Sequence, residues 1–213
     1  MNLKCIIFDL DGTLVDSEQL GCRALLELLP EIDESLEVIT ERYQGGNFAE
    51  ILVDIEKRFQ CSIPHNFEHN YRRHVSEIFE NELQPIPGAI EVLKQIDHPC
   101  CIASSGPLAK IKHSLQITGL AGFFGTNLYS AYEIGSWKPE PDLFLHAACK
   151  MGAGPDGCIV VEDSPTGVKA AKAAGMVVLH FSSKPVEPNG ETYYSFNDLT
   201  ELPMLLTRFE NVA

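Results

Sequence analysis

Four short apolar runs, three of them closing on carboxylates or hydroxyls, constrain what this chain can fold into more than any other feature. Cys5–Phe8 stops at Asp9 and Asp11, the run 99–103 at Ser104 and Ser105, and the run 158–161 at Glu162 and Asp163; a fourth covers 176–181. Apolar stretches of this length read as strands buried on both faces of a parallel sheet. Helical patterns at 88–96, 107–116, 142–150 and 166–174 alternate with them, the last followed by Gly175 as a C-cap. Such alternation predicts an α/β domain. The segment 128–134 is a weaker strand candidate.

Between about Asp16 and Leu83 the alternation stops. Apolar residues recur at helical spacing over 20–29, 36–43, 48–59 and 67–79, with Gly45, Gly46 and Pro64 as punctuation. The simplest reading is an all-helical insert after the first strand: residues 16–84 form one unit, and 1–15 with 85–213 form the sheet-bearing core. A last helix is expected around 199–209.

The balance of charge narrows the partner. Of 213 residues, 16 are basic and 30 acidic, giving a formal charge of −14. Nucleic acid and anionic membranes need a positive footprint and are disfavoured as main partners. A small anionic substrate is not, because a bound divalent cation and one lysine can reverse the local field. The seven cysteines form no CxxC pair and are odd in number, so neither a zinc site nor a disulfide framework is expected. With a first apolar run too short for a signal peptide, the cytoplasm is the expected compartment. The seven histidines read as surface or satisfied residues rather than ligands.

Ligands of open parallel sheets bind at the carboxyl ends of the strands. Asp9, Asp11, Ser104, Ser105, Glu162 and Asp163 stand at such ends, and Lys138, just before Pro139, belongs with them. Carboxylates, hydroxyls and one ammonium on one edge suit a hard, oxygen-ligated cation, Mg²⁺ above all, with a phosphate held between metal and lysine.

These residues also carry a family resemblance. FDLDGTLVDSE at 8–18 resembles the DxDGT motif of haloacid-dehalogenase phosphatases. Ser104 in CIASSG, Lys138 in WKPEPD, and Glu162 and Asp163 in VVEDSPTG are similar to its second, third and fourth motifs, in the family's order. The resemblance implies a Rossmann-like core and a helical cap of the β-phosphoglucomutase-like subgroup. It implies Asp9 as nucleophile, Asp11 as general acid and base, and Ser104 and Lys138 as holders of the phosphoryl oxygens, with Ser105 a second candidate hydroxyl. Mg²⁺ would sit on Asp9, the Asp11 carbonyl and Asp163, with Glu162 direct or through water.

Gln44, Gly45, Gly46 and Asn47 lie where this subgroup carries a substrate-specificity loop, and Arg42, Arg72 and Arg73 are cap cations that could reach a ligand. The implied partner is a small phosphorylated metabolite. The runs around Ser105, Lys138 and Asp163 resemble those of the branch acting on sugar-acid phosphates such as 6-phosphogluconate. A phosphosugar mutase uses the same four motifs and remains the alternative, with a non-catalytic binding protein behind it. A monomer is expected.

Overall fold

The structure, a computed structural model, describes residues 2–182 and 193–210; residue 1 and the stretches 183–192 and 211–213 of the expected core lie outside the described residues. The chain opens with β1 (Cys5–Phe8). Four helices follow without a strand among them: α1 (Glu18–Leu28), α2 (Leu36–Tyr43), α3 (Phe48–Phe59) and α4 (Phe67–Glu82). Alternation then resumes with α5 (Ala89–Leu93), β2 (Cys100–Ser104), α6 (Leu108–Ile117), α7 (Ala121–Phe124), β3 (Leu128–Ser130) and α8 (Ala131–Ile134). It continues through α9 (Asp142–Lys150), β4 (Cys158–Glu162), α10 (Pro165–Ala173), β5 (Val177–Phe181), β6 (Tyr193–Phe196) and α11 (Leu202–Glu210).

The six strands form one parallel sheet in the order β3-β2-β1-β4-β5-β6. After β1 the chain builds outward through β2 and β3, then crosses back to lay β4 against the other side of β1. That reversal opens a crevice at the carboxyl end of the central strand, where open α/β sheets bind ligands. In-register pairing sets Phe8 beside Ile102 and Val161, so Asp9 emerges between the ends of β2 and β4.

Alternate residues along each strand face opposite layers. Ile6, Phe8, Ile102, Ile159, Val161 and Leu179 belong to one apolar cluster, which also takes in Ile39, Ile55, Phe67, Tyr71 and Val75 of the inserted helices. Cys5, Ile7, Cys101, Ala103, Cys158 and Val160 belong to the other, packed under α9 and α10 through Phe144, Ala147, Ala170 and Ala171. Buried strand cysteines therefore act as small hydrophobes, and the described cysteines are all free.

The two chain crossings between sheet and inserted helices run side by side. Val15 bridges Pro85 in antiparallel fashion, the Asp16 amide donates to the Gln84 carbonyl at 3.0 Å, and the Ile86 amide to the Leu14 carbonyl at 2.9 Å. Two elements differ from the sequence expectation. The weak strand at 128–134 is a strand only to Ser130, whose hydroxyl accepts from the Tyr132 amide and starts α8. The edge strand β6 was not anticipated. Among the described residues, no helix is long and apolar enough to cross a membrane.

Candidate active site

A pocket opens at the carboxyl edge of β1, β2 and β4, roofed by α1, α3, α4 and the loop between α2 and α3. Its walls include Asp9, Asp11, Ser17, Glu18, Gly45, Gly46, Arg72, Ser105, Lys110, Lys138 and Glu162. Asp9 stands at its floor, its amide donating to the Val161 carbonyl at 2.9 Å.

Lys138, on the loop after α8, is the electrostatic centre. Its side chain is 2% exposed, and its ammonium donates to Asp9 Oδ1 and, at 2.7 Å, to Glu162 Oε1. Burial alone would discourage this charge, but Asp9 and Glu162 more than offset it and raise the pKa above the ordinary lysine value. Glu162 is anchored on its other side, where Oε2 accepts from the Ser164 amide at 2.6 Å and hydroxyl at 3.0 Å. Ser164 in turn caps α10 by accepting from the Gly167 amide at 3.0 Å. A Cβ on Gly167 would fall 2.0 Å from the Glu162 carboxyl, so only glycine leaves room for that acid.

Asp163 accepts from the Thr13 hydroxyl at 2.7 Å and the Gln44 amide at 2.6 Å. Gly12 makes this approach possible, because its φ is +80° and a Cβ there would lie 2.3 Å from Asp163 Oδ2. Behind the acid, His180 bonds the Asp163 carbonyl at 3.0 Å and the Tyr193 hydroxyl at 2.5 Å.

Asp9 and Asp163 are both pushed up, first by burial. Lys138 opposes the shift on Asp9, while Glu162, Asp163 and Asp11 reinforce it; Glu162 and Glu18 reinforce it on Asp163. One ammonium thus faces an excess of carboxylate charge. Asp9, Glu162 and Asp163 bring ligand atoms within 4.8 Å of one another, and such an oxygen donor set could hold a hard metal ion.

Asp11 sits apart from that cluster. Its Oδ1 accepts from Ser17 at 2.5 Å and Lys110 at 2.5 Å, while Oδ2 faces the Ser104 hydroxyl at 3.4 Å. Burial would raise its pKa, but Lys110 and the Ser17 hydrogen bond outweigh it and keep the carboxyl low. Ser104 is buried and also accepts from the Gly106 amide at 3.0 Å.

The inserted helices reach this floor. The Gly45 carbonyl accepts from the Thr166 hydroxyl at 3.2 Å, and at φ +67° a Cβ on Gly45 would lie 2.5 Å from the Ser164 Cβ. Gly46 lines the pocket beside it. Asn47 does not; its side chain accepts from the Ala49 amide at 2.9 Å and caps α3. Of the three arginines, Arg42 is tied to Glu34, Arg73 is exposed, and Arg72 faces the pocket.

Residues 3–175 match the haloacid dehalogenase-like hydrolase family. The chain belongs to that family. This hydrolase is 35% identical over 208 residues to the 6-phosphogluconate phosphatase of Escherichia coli K12, an alignment covering 94% of each chain. Hexitol phosphatase A of the same organism is 28% identical over 230 residues, covering 100% of this chain and 94% of the relative. Among solved structures, a conserved haloacid dehalogenase-like protein from Agrobacterium tumefaciens C58 superimposes with a TM-score of 0.81 at 29% identity. That match covers 98% of this hydrolase and 100% of its neighbour.

Thr13, Ser17, Glu18, Lys110 and Ser164 were not anticipated as site residues. A signal existed for Lys110: a helix following a strand begins at the ligand edge of the sheet, so a lysine in its first turn points there. Gln44 opens the segment expected as a specificity loop, but its contact with Asp163, 119 positions on, left no signal in the sequence.

Glu18 has a measurable consequence. Burial in the pocket wall, reinforced by Asp11, pushes its carboxyl up to about 8. An acid raised in the folded state penalises folding once the unfolded chain ionises, from the ordinary value upward, and the penalty levels off above the folded value. Metal-free Glu18→Gln should therefore gain melting temperature over wild type as pH climbs from 5 to 8, then plateau. A difference in melting temperature that stays constant across that range would contradict the assignment.

Proposed function

We propose that this hydrolase is a Mg²⁺-dependent phosphatase of small phosphorylated sugars or sugar acids, with 6-phosphogluconate the first candidate, acting through an aspartyl-phosphate on Asp9. The observation that carries the reading is the division of labour between the two aspartates. Asp9 lies with Lys138 and the acidic cluster, whereas Asp11 lies in a separate hydrogen-bonded setting with one oxygen turned toward Ser104.

In this mechanism an Asp9 oxygen attacks phosphorus in line, and the bond from phosphorus to the leaving oxygen breaks as the new one forms. Asp11, held ionised by Lys110 and Ser17 in the free site, must take up a proton as the phosphate dianion enters beside it. It gives that proton to the departing alkoxide, then takes one from the water that attacks the phosphoryl group. Breaking the bond from phosphorus to Asp9 returns the carboxylate and releases phosphate. Ser104 and Lys138 hold the equatorial oxygens as charge spreads over them.

Asp9, the Asp11 carbonyl and Asp163 would hold Mg²⁺, with Glu162, whose oxygens accept from the Lys138 ammonium and from Ser164, direct or through water. Bound there, the cation would offset the repulsion between carboxylate nucleophile and phosphate dianion.

Residues 16–84 are assigned as a cap domain on a core of 1–15 and 85–213. The paired crossings at Val15 and Pro85, and the contacts of Gln44 and Gly45 with the floor, support this. The cap would exclude water and read the leaving group.

A panel of phosphorylated metabolites assayed with purified protein and Mg²⁺ tests the reading. Sugar or sugar-acid phosphates should rank first. Turnover of nucleotides or phosphoglycolate, with no sugar acid phosphate among the substrates, would defeat it.

A further inference from the structure

Three cations line the pocket among the described residues: Lys138, Lys110 and Arg72. The first two are committed to the floor, Lys138 to Asp9 and Glu162, and Lys110 to Asp11. Arg72 is different. It comes from α4 in the roof, and none of its contacts is with a carboxylate of the floor.

Its guanidinium lies over the Phe48 ring, 4.6 Å from the centroid, and Phe48 is itself stacked on Tyr71 at 4.4 Å. Nη2 donates to the Tyr132 hydroxyl at 2.9 Å and to Glu68 Oε1 at 3.2 Å. Nε is buried and has no hydrogen-bond partner. Glu68 is half exposed, so solvent screens that ion pair and weakens its hold on the cation. An unpaired buried donor on a guanidinium is unfavourable, and the planar fork is built to meet two oxygens at once. The aromatic face holds that fork in place on the roof side of the pocket that Asp9 also lines.

We infer that Arg72, with the Tyr132 hydroxyl beside it, reads a carboxylate at the end of the leaving group remote from the phosphate. The preferred substrates are then sugar-acid phosphates rather than phosphates of neutral sugars or polyols. The inference rests on the phosphatase reading above and narrows its substrate class. A carboxylate fits better than a second phosphate, because one guanidinium already shared with Glu68 and Tyr132 matches one charge and two oxygens. A phosphate would bring nearly two charges into a site where burial already disfavours the Asp9, Asp163 and Glu18 carboxylates.

The matched pair 6-phosphogluconate and glucitol 6-phosphate differs only in carboxylate against hydroxymethyl. With Mg²⁺ present, wild type should favour the acid. Arg72→Gln, which loses the charge, and Arg72→Lys, which keeps it but loses the two-pronged fork, should each lose about 10- to 100-fold in kcat/KM on the acid, mainly through KM. On the polyol phosphate both should stay within about threefold. That second substrate reports folding, and Arg72→Lys keeps the charge and stem if the glutamine variant misfolds.

Equal losses on both substrates, or none on either, would overturn the role of Arg72. A wild type that hydrolyses both without preference, or prefers the polyol, would overturn the carboxylate while leaving the phosphatase reading intact. A wild type hydrolysing neither, while turning over other sugar phosphates of the panel, would likewise overturn the carboxylate; one hydrolysing no sugar phosphate at all would remove the phosphatase reading as well.

Discussion

Asp9→Asn should lower phosphate release by at least about 10⁴-fold, the scale of loss on removing a covalent nucleophile. The isosteric amide keeps the shape of the site but cannot carry the phosphoryl group. Acid quenching during turnover should trap an acyl phosphate on wild type and none on the variant. Folding should not suffer. The Asp9 carboxyl is pushed up by burial and by Glu162, Asp163 and Asp11, so its charge opposes the folded state in metal-free protein. The amide removes that charge while Lys138 retains Glu162 as partner. Asp9→Asn without metal should therefore melt no lower than wild type. An active Asp9→Asn enzyme, or a phosphoryl group trapped on another residue, ends the covalent assignment.

Lys138→Met should fail on both counts. The loss of the ammonium leaves Asp9 and Glu162 buried without their counter-charge, and breaking a buried pair from one side costs about 3–5 kcal/mol. For a chain of this size that is a fall of roughly 6–20 °C in melting temperature. Activity should fall by about 10²–10³-fold, the usual scale for losing one donor aimed at transition-state charge. Added Mg²⁺ should recover part of the melting temperature, since a cation bound only by the folded state stabilises it. It should not recover kcat. A Lys138→Met enzyme within threefold of wild-type kcat would show that the ammonium is structural only.

Much of this site was legible because its parts lie at strand ends. The apolar run Cys5–Phe8 halts at Asp9, the run into Ser104 and the run into Glu162 halt likewise, and a parallel sheet sends all three ends to one edge. Asn47 shows the opposite case. Its place after two glycines suggested a ligand contact, but in the structure its side chain caps the helix that begins at Phe48, and local hydrogen bonding prevailed. In the sequence nothing set Arg72 apart from Arg42 and Arg73 among the cap cations. Phe48, 24 positions away, and Tyr132, 60 positions away, single it out.

The sequence by itself determined the α/β class, the helical interruption and the acidic edge, because these follow from apolar periodicity and from which residues close each run. Only the tertiary structure decided how charges are shared. Lys138 bridges Asp9 and Glu162, Lys110 and Ser17 pin one oxygen of Asp11, and Gln44 reaches Asp163 from the inserted segment. Hydrogen bonds and ion pairs act over about 3 Å, a separation that linear order does not encode for residues drawn from different layers of the fold.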